Sequence, residues 1–243
     1  GAADFGDHLA RATGWRVSLS HPGLVSKMRA SIDKTDRSDA RVLADLGRTG
    51  YLPEVWLPPE TIRELRTLVR RRHQLTDTIR RAKTRIGALL RDKRVAMPAG
   101  IRGRWSLSHY AWLRDVTLAP YARVVLDDLL AEIEYHTRRR EALDARLEKV
   151  TEGDAMIAHL RRFKGIGPVT AWTLRAVIGR FDRFRNGKQL SRYCGLTPRN
   201  ASSGTRVADA GLVRAGDPTL KTVLMQVAQR VVRCEGEWKA LYL

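Results

Sequence analysis

Two stretches of regularly spaced apolar residues restrict much of this chain to long helices. The first runs from Leu65 to Leu89 and the second from Ala122 to Val150, with alternating steps of three and four residues. This spacing is typical of a coiled-coil seam, so we predict two long helices joined by the irregular stretch 96–119. They form either an antiparallel hairpin or an arm that pairs with another protomer. Three residues interrupt the seams and predict imperfect burial there: Arg72, His136 and Arg140.

The first 50 residues follow a different pattern, which indicates a piece of an α/β domain. Apolar and polar residues alternate over Trp15–Ser20, between a glycine and a proline, and this predicts a short strand. A strand needs partners, and we expect them upstream or in another chain. Residues Asp36–Leu46 have helical spacing, whereas the proline-rich segment 51–59 predicts an extended linker.

The chain is predicted to be compact and helical from about Asp154 onward, because Gly or Pro marks each boundary of its apolar segments. The predicted helices are Ile157–Phe163, Val169–Ile178, Gly187–Tyr193 and Pro218–Val232. The predicted fold class is therefore mainly α. We divide the chain into residues 1–50, a linker and coiled-coil domain at 51–152, and a helical domain at 153–243.

The net charge points to a polyanionic partner. The 243 residues include 45 Lys and Arg against 26 Asp and Glu, a formal net charge of +19. With 43% hydrophobic residues the chain can bury a core, so it is not a disordered basic tail. Its apolar runs are too short to span a membrane. Cys194 and Cys234 are too few for a disulfide framework, which favours reduced thiols and a cytoplasmic location.

A glycine turn at Gly165-Ile166-Gly167-Pro168 is a candidate phosphate site. The glycines permit a tight turn, and Pro168 suits the first turn of a helix, whose unpaired N–H groups attract phosphate. The turn resembles that of helix-hairpin-helix modules, which bind the DNA backbone; an ordinary turn between packed helices is the alternative. A basic run follows it, which is either a phosphate-contacting or a solvated face: Arg180, Arg183, Arg185, Lys188 and Arg192. The predicted nucleic-acid-binding residues are Lys164, Gly165, Gly167, Arg185, Lys188, Arg192, Arg199, Arg206, Arg214 and Lys221.

Ser203 is a candidate nucleophile because it precedes Gly204 in a basic loop between Arg199 and Arg206. A serine that attacks phosphate needs less local help than one in acyl transfer if arginines and a metal stabilise the charge. No histidine lies near it in the sequence, so a hydrolase triad has no local support. An ordinary loop serine is the alternative, and the neighbouring Ser202 competes for the role.

Asp36 and Asp39 are candidate metal ligands. They lie three residues apart at the start of a predicted helix, where both side chains can point to one side. Carboxylate oxygens of this kind suit Mg²⁺, and Asp33 offers a third ligand. The alternative is one N-cap aspartate and one aspartate favoured by the helix dipole.

Taken together, the motifs resemble the IS110-type transposases, of the IS110/IS1111 group. The resemblance rests on Lys34-Thr35-Asp36-x-x-Asp39-Ala40, Leu52-Pro53-x-Val55-Trp56, Gly165-Ile166-Gly167-Pro168 and Gly195-Leu196-x-Pro198-Arg199-x-x-x-Ser203-Gly204. It implies a RuvC-like (RNase H-like) domain with an Asp-Glu-Asp-Asp metal site, a coiled coil for assembly and a C-terminal transposase domain with a catalytic serine. Asp36 and Asp39 match the last two acidic residues, and Ser203 matches the serine. The first Asp and the Glu have no counterpart in this chain.

The resemblance implies a Mg²⁺-dependent DNA recombinase of an insertion sequence. Ser203 attacks a DNA phosphodiester to give a 5′-phosphoserine, a structured non-coding (bridge) RNA guides the choice of DNA, and protomers assemble as a dimer and then a tetramer. The expected location is the bacterial cytoplasm, at the nucleoid. Two alternatives remain, a non-catalytic DNA- or RNA-binding module and a metal-dependent nuclease or junction resolvase in which Ser203 has no chemical role.

Overall fold

The computed structural model describes residues 1–28, 35–200, 209–212, 216–233 and 239–240, and it divides the chain into two compact units, Gly1–Arg63 and Glu64–Leu243. The described part is mainly helical, as predicted. Within it, no helix is both long enough and apolar enough to cross a membrane.

The first unit contains helices around a two-residue strand pair. Its elements are α1 (Ala2–Thr13), β1 (Leu19–Ser20), α2 (Pro22–Val25), a 3-10 turn (Ser26–Met28), α3 (Asp36–Arg48), β2 (Glu54–Val55) and the start of α4 (Glu60–Asp92).

The predicted strand at Trp15–Ser20 is shorter than expected and has a different partner. Only Leu19 and Ser20 form β1, and they pair antiparallel with Val55 and Glu54 of β2. The expectation of a partner upstream or in another chain was therefore wrong. The segment that we interpreted as a linker supplies the partner, because its extended backbone leaves ladder N–H and C=O groups to be paired.

The second unit is built on two long antiparallel helices. It contains most of α4, then α5 (Leu107–Asp115), α6 (Pro120–Val150), α7 (Ala155–Arg161), α8 (Pro168–Ile178), α9 (Gly187–Tyr193), β3 (Pro198–Asn200), β4 (Asp209–Leu212) and α10 (Pro218–Val231). Three of these elements were not predicted. Helix α5 lies in the stretch that we expected to be irregular, and β3 and β4 form a small antiparallel sheet between the last two predicted helices, where we expected a loop.

Helices α4 and α6 pack against each other in opposite directions within the one chain. Arg72 Nε lies 2.7 Å from Asp144 Oδ1, and farther along α4, Arg85 lies 3.8 Å from Glu132. Residue numbers increase along α4 while those of the partners on α6 decrease, so the two helices form an antiparallel hairpin. Pairing of this hairpin with another protomer stays a prediction.

The polar residues that interrupt the seams have different environments. Arg72 is satisfied by Asp144 through two hydrogen bonds. In contrast, His136 Nδ1 and Arg140 Nε are buried and have no hydrogen-bond partner among the described residues. Buried polar groups without a partner are costly, so these two positions are the poorly satisfied part of the hairpin.

Helix α8 is the centre of the core near the other end of the hairpin. Ala171–Leu174 and Ala176–Ile178 are buried, and they cluster with Leu65 of α4, Leu147 of α6 and Leu220 of α10. Two polar contacts tie α4 to this helix. Arg66 Nε donates to the carbonyl of Ala176 at 2.9 Å, and His73 Nε2 lies 2.9 Å from the Thr173 hydroxyl.

Asp154 connects the start of α7 to α8. Its Oδ1 accepts hydrogen bonds from the N–H groups of Met156 and Ile157, and its Oδ2 lies 2.7 Å from Arg175 Nε. Burial raises the pKa of Asp154, but the hydrogen bonds from Arg175 and Ile157 and the charge of Arg175 outweigh it. The pKa therefore lies below its ordinary value of 3.8.

Replacing Asp154 with alanine is expected to lower the free energy of unfolding by about 2–4 kcal/mol, because the cap is lost and Arg175 loses its partner. Asp154→Asn keeps the cap and should cost less. The native pKa lies below the unfolded one, so the wild-type contribution is complete above about pH 4 and is lost as the pH falls through the native pKa. Urea unfolding at a series of acidic pH values tests this. A pH dependence as steep in Asp154→Asn as in the wild type would contradict it.

Candidate nucleic-acid interface

The loop between α7 and α8 is held against α10 by a glycine. Gly165 has a φ of +91°, and a Cβ at this position would lie 2.6 Å from Val231 Cγ2. A side chain would therefore meet both a strained backbone and a steric clash. The loop backbone approaches α10 closely because Gly165 has no side chain.

The second glycine of the turn has a different function. Gly167 is the N-cap of α8, with φ −86° and ψ 178°, and the helix has no side-chain cap hydrogen bond. Pro168, at the first helical position, has no N–H, so Val169 and Thr170 present the first N–H groups. A Cβ at Gly167 would meet nothing within 4 Å. The start of α8 is thus an open end of the helix dipole with free donors, which favours an anion.

Cationic side chains surround this helix start. Lys164 is exposed on the loop. A groove of about 580 Å³ runs from Gly165 and Gly167 to the end of α10, and it is lined there by Arg230 and by Arg233, two residues beyond the helix. Arg230 of α10 and Arg233, just after it, therefore join the predicted site residues. Their spacing with Gln226 along one helix face was a signal in the sequence.

The other predicted cations divide into two groups. Arg185, Lys188 and Arg192 are exposed on α9 and the loop before it, but they do not line the groove beside α8. Arg180 pairs with Asp182 at 2.8 Å, and Arg183 lies over the rings of Phe184 and Tyr193, 4.2 and 4.5 Å from their centroids. The charges of these two arginines are engaged within the protein.

Two of the remaining predicted residues belong to the small sheet and to α10. Lys221 is half-buried in the first turn of α10, and Arg199 belongs to β3, where the structure describes its backbone only. Strands β3 and β4 pair antiparallel and flank residues 201–208. Five candidate residues lie outside the described residues: Asp33, Ser202, Ser203, Arg206 and Arg214.

Asp36 and Asp39 both lie in the first turn of α3, as predicted. The N-cap is Thr35, whose hydroxyl accepts from the Ser38 N–H at 3.1 Å while Ser38 Oγ accepts from the Thr35 N–H. Neither aspartate is therefore the cap. Among the described residues, no group of three or more His, Cys, Asp or Glu side chains is placed to hold a metal ion. The two carboxylates suit Mg²⁺ in chemistry but not in number.

Comparison with known proteins identifies the family. A model described as the transposase IS116/IS110/IS902 family matches residues 157–243, and a transposase model of the DEDD IS110 type matches residues 7–94. The first match contains the α7–α8 loop, and the second contains Asp36 and Asp39.

Three curated relatives extend the match over most of the chain. A putative transposase of Sinorhizobium fredii is 27% identical over 90% of this chain and 54% of its own length. A probable family 20 transposase of Pseudomonas aeruginosa is 29% identical, with coverages of 96% and 70%. The transposase for insertion sequence element IS1111A of Coxiella burnetii is 25% identical, with coverages of 83% and 56%. The chain spans little more than half the length of the first and third of these relatives. It belongs to the IS110 family of transposases.

Proposed function

We propose that this chain acts in DNA transposition as a recombinase of an insertion sequence, and that the α7–α8 loop binds the DNA backbone. The observation that carries the proposal is the uncapped start of α8, which has an open approach at Gly167 and lies within the segment matched by a transposase family. Backbone N–H groups and the helix dipole bind phosphate without contacting bases. Contact of this kind positions a duplex and leaves the choice of sequence to other groups.

Several cations near the start of α8 favour a DNA duplex over a small anion as the ligand. Lys164 lies on the loop, and Arg230 and Arg233 line the groove that leads away from it. Successive phosphates of a DNA strand can therefore meet donors from α8 and from α10. The net charge of +19 agrees with a polyanionic partner.

For the chemistry, we propose Ser203 as the nucleophile. Its Oγ attacks a backbone phosphorus, a serine–phosphate bond forms, and the bond from phosphorus to the 3′-oxygen breaks. The serine proton is lost and the departing 3′-oxygen gains one, which leaves a 5′-phosphoserine and a free 3′-hydroxyl. A 3′-hydroxyl from a partner duplex then attacks the same phosphorus and releases the serine.

Asp36 and Asp39 supply two oxygen ligands of a Mg²⁺ site in this proposal. The described residues give no third ligand, so the pair requires carboxylates from outside the described residues. A bound Mg²⁺ stabilises negative charge on a phosphate. We also propose a structured non-coding RNA that guides DNA choice, and a homodimer that assembles to a tetramer, on the family resemblance.

Replacing Gly167 with aspartate is expected to strengthen the helix and weaken DNA binding. Aspartate is a better N-cap than glycine, so α8 gains about 0.3–0.5 kcal/mol. Its carboxylate takes the position proposed for a DNA phosphate and repels the backbone, so affinity for a short random-sequence duplex should fall about tenfold or more. Fluorescence anisotropy at fixed salt gives the affinity, and urea unfolding gives the stability.

Gly167→Asn is the matched control, because asparagine caps the helix and has no charge. We expect a smaller loss of affinity with a similar gain in stability. Unchanged DNA affinity in a stabilised Gly167→Asp protein would show that no phosphate binds at the start of α8.

A further inference from the structure

A cavity of about 610 Å³ opens beside α4, and the proposed function does not use it. Residues of α4, of the connection between α4 and α6, and Arg140 of α6 line it, and we call it the hairpin pocket. Its apolar floor is formed by Ile79, Ile86 and Leu90, which are 5%, 0% and 8% exposed. The volume and the buried floor are those of a site for a small organic group.

Aromatic rings form one wall of the hairpin pocket. Trp105, His109 and Trp112 line it, and the ring centroids of Trp105 and His109 lie 5.1 Å apart. Trp105 has a φ of +69°, which is strained for a tryptophan, and its N–H donates to His109 Nδ1 at 3.1 Å. Backbone strain of this kind persists only where the surroundings hold it, and it occurs most often at ligand sites.

Cations form a large part of the remaining lining, and none of the described residues that line the hairpin pocket is acidic. Its five cationic residues are Arg80, Lys83, Arg91, Arg104 and Arg140. Lys83 Nζ lies 4.9 Å from the centroid of the Trp105 ring, and Arg140 Nε is buried without a hydrogen-bond partner among the described residues. Burial and the charge of Arg140 lower the pKa of Lys83. An anion in this pocket would relieve the repulsion between the two cations.

We propose that the hairpin pocket holds one unpaired nucleotide of a nucleic-acid strand, with its base against the aromatic wall and its phosphate on Lys83 and Arg140. Free phosphate would leave the rings and the apolar floor unused, and an apolar ligand would leave the buried Nε of Arg140 without an acceptor. A nucleotide uses the rings and the cations together, because its base stacks on aromatic rings and its phosphate pairs with cations. The inference rests on the proposed function for a nucleic-acid partner, but it concerns a surface separate from the α7–α8 loop.

Short stem structures test the inference with this chain. One stem carries a single unpaired adenosine, a second carries an abasic unit at that position, and a third is fully paired. Each is made as RNA and as DNA, so that the better-bound form identifies the source of the nucleotide. We expect the stem with the unpaired adenosine to bind about tenfold more tightly than the abasic stem.

Two variants assign that preference to the hairpin pocket. Lys83→Met and Trp105→Ala should each remove most of it, whereas Lys149→Met, an equal change of charge at an exposed position of α6, should retain it. Lys83→Met removes a cation that burial and Arg140 disfavour, so its thermal unfolding temperature should not fall. This variant therefore tests the pocket even if Trp105→Ala does not fold.

The outcomes separate this inference from the proposed function. Equal binding of the adenosine and abasic stems by the wild type, or a full preference in folded Lys83→Met, overturns the nucleotide pocket. Gly167→Asp should weaken binding of every stem and leave the preference for the unpaired base intact. If Gly167→Asp has no effect on the paired stem, the proposed phosphate site fails instead.

Discussion

Gly165→Ala is expected to lower the free energy of unfolding of the helical unit by about 2–5 kcal/mol. The alanine would adopt a φ of +91°, a conformation that costs a residue with a side chain about 1–3 kcal/mol. Its Cβ would also lie 2.6 Å from Val231 Cγ2, so α10 must shift or the loop must move. Overpacking of this kind adds about 1–3 kcal/mol.

Gly167→Ala is the matched control, two residues along the same loop. Gly167 has an ordinary φ of −86° and open space at its Cβ position, so alanine should cost less than about 1 kcal/mol, as a poorer N-cap. Urea unfolding followed by circular dichroism measures both variants. If Gly165→Ala is as stable as Gly167→Ala, the contact between the loop and α10 is not as described.

Ser203→Ala in the full-length protein is expected to abolish the covalent protein–DNA adduct. Alanine has no hydroxyl, so the serine–phosphate bond cannot form and both cleavage and strand joining are lost. Ser202→Ala changes the neighbouring hydroxyl in the same loop and should leave the adduct in place. The adduct is measured as labelled DNA that stays on the protein in a denaturing gel.

Asp36→Asn, tested beside Ser203→Ala, separates the serine recombinase from its two alternatives. In a recombinase that uses both the Ser203 hydroxyl and the Asp36 carboxylate, each substitution lowers cleavage, and the wild type forms an adduct. In a metal-dependent nuclease, Asp36→Asn stops cleavage, Ser203→Ala does not, and no adduct forms. A binding module forms no adduct and shows neither effect.

The long helices could be predicted from the sequence because their apolar periodicity extends over many turns. Helix α5 could not, since it has nine residues and begins with Leu107, which is 91% exposed. The helix is held in position by Leu113, whose side chain is fully buried among apolar residues of α4 and α6. The pairing of β1 with β2 involves only two residues of each strand. A pattern of two residues is too short to predict which strands pair.

The glycine turn was predicted as a unit, but the different requirements at its two glycines were not. Glycine is required at position 165 because Val231, which is distant in the sequence, lies too close for a side chain. Position 167 can accept a side chain because nothing lies within 4 Å of a Cβ there. Tertiary contacts also decide which arginines are available. Asp182 pairs with Arg180, and the stacking of Arg183 requires Tyr193 to fold back beside it.

Locating the nucleotide on the protein is the most direct test of the proposed recombinase. The covalent complex is digested with trypsin, which cleaves after Arg199 and Arg206, and the peptide from Asn200 to Arg206 is sequenced by mass spectrometry. We predict a nucleotide 5′-phosphate on Ser203. A nucleotide on Ser202 or on a residue outside this peptide would contradict it, as would the absence of any covalent complex.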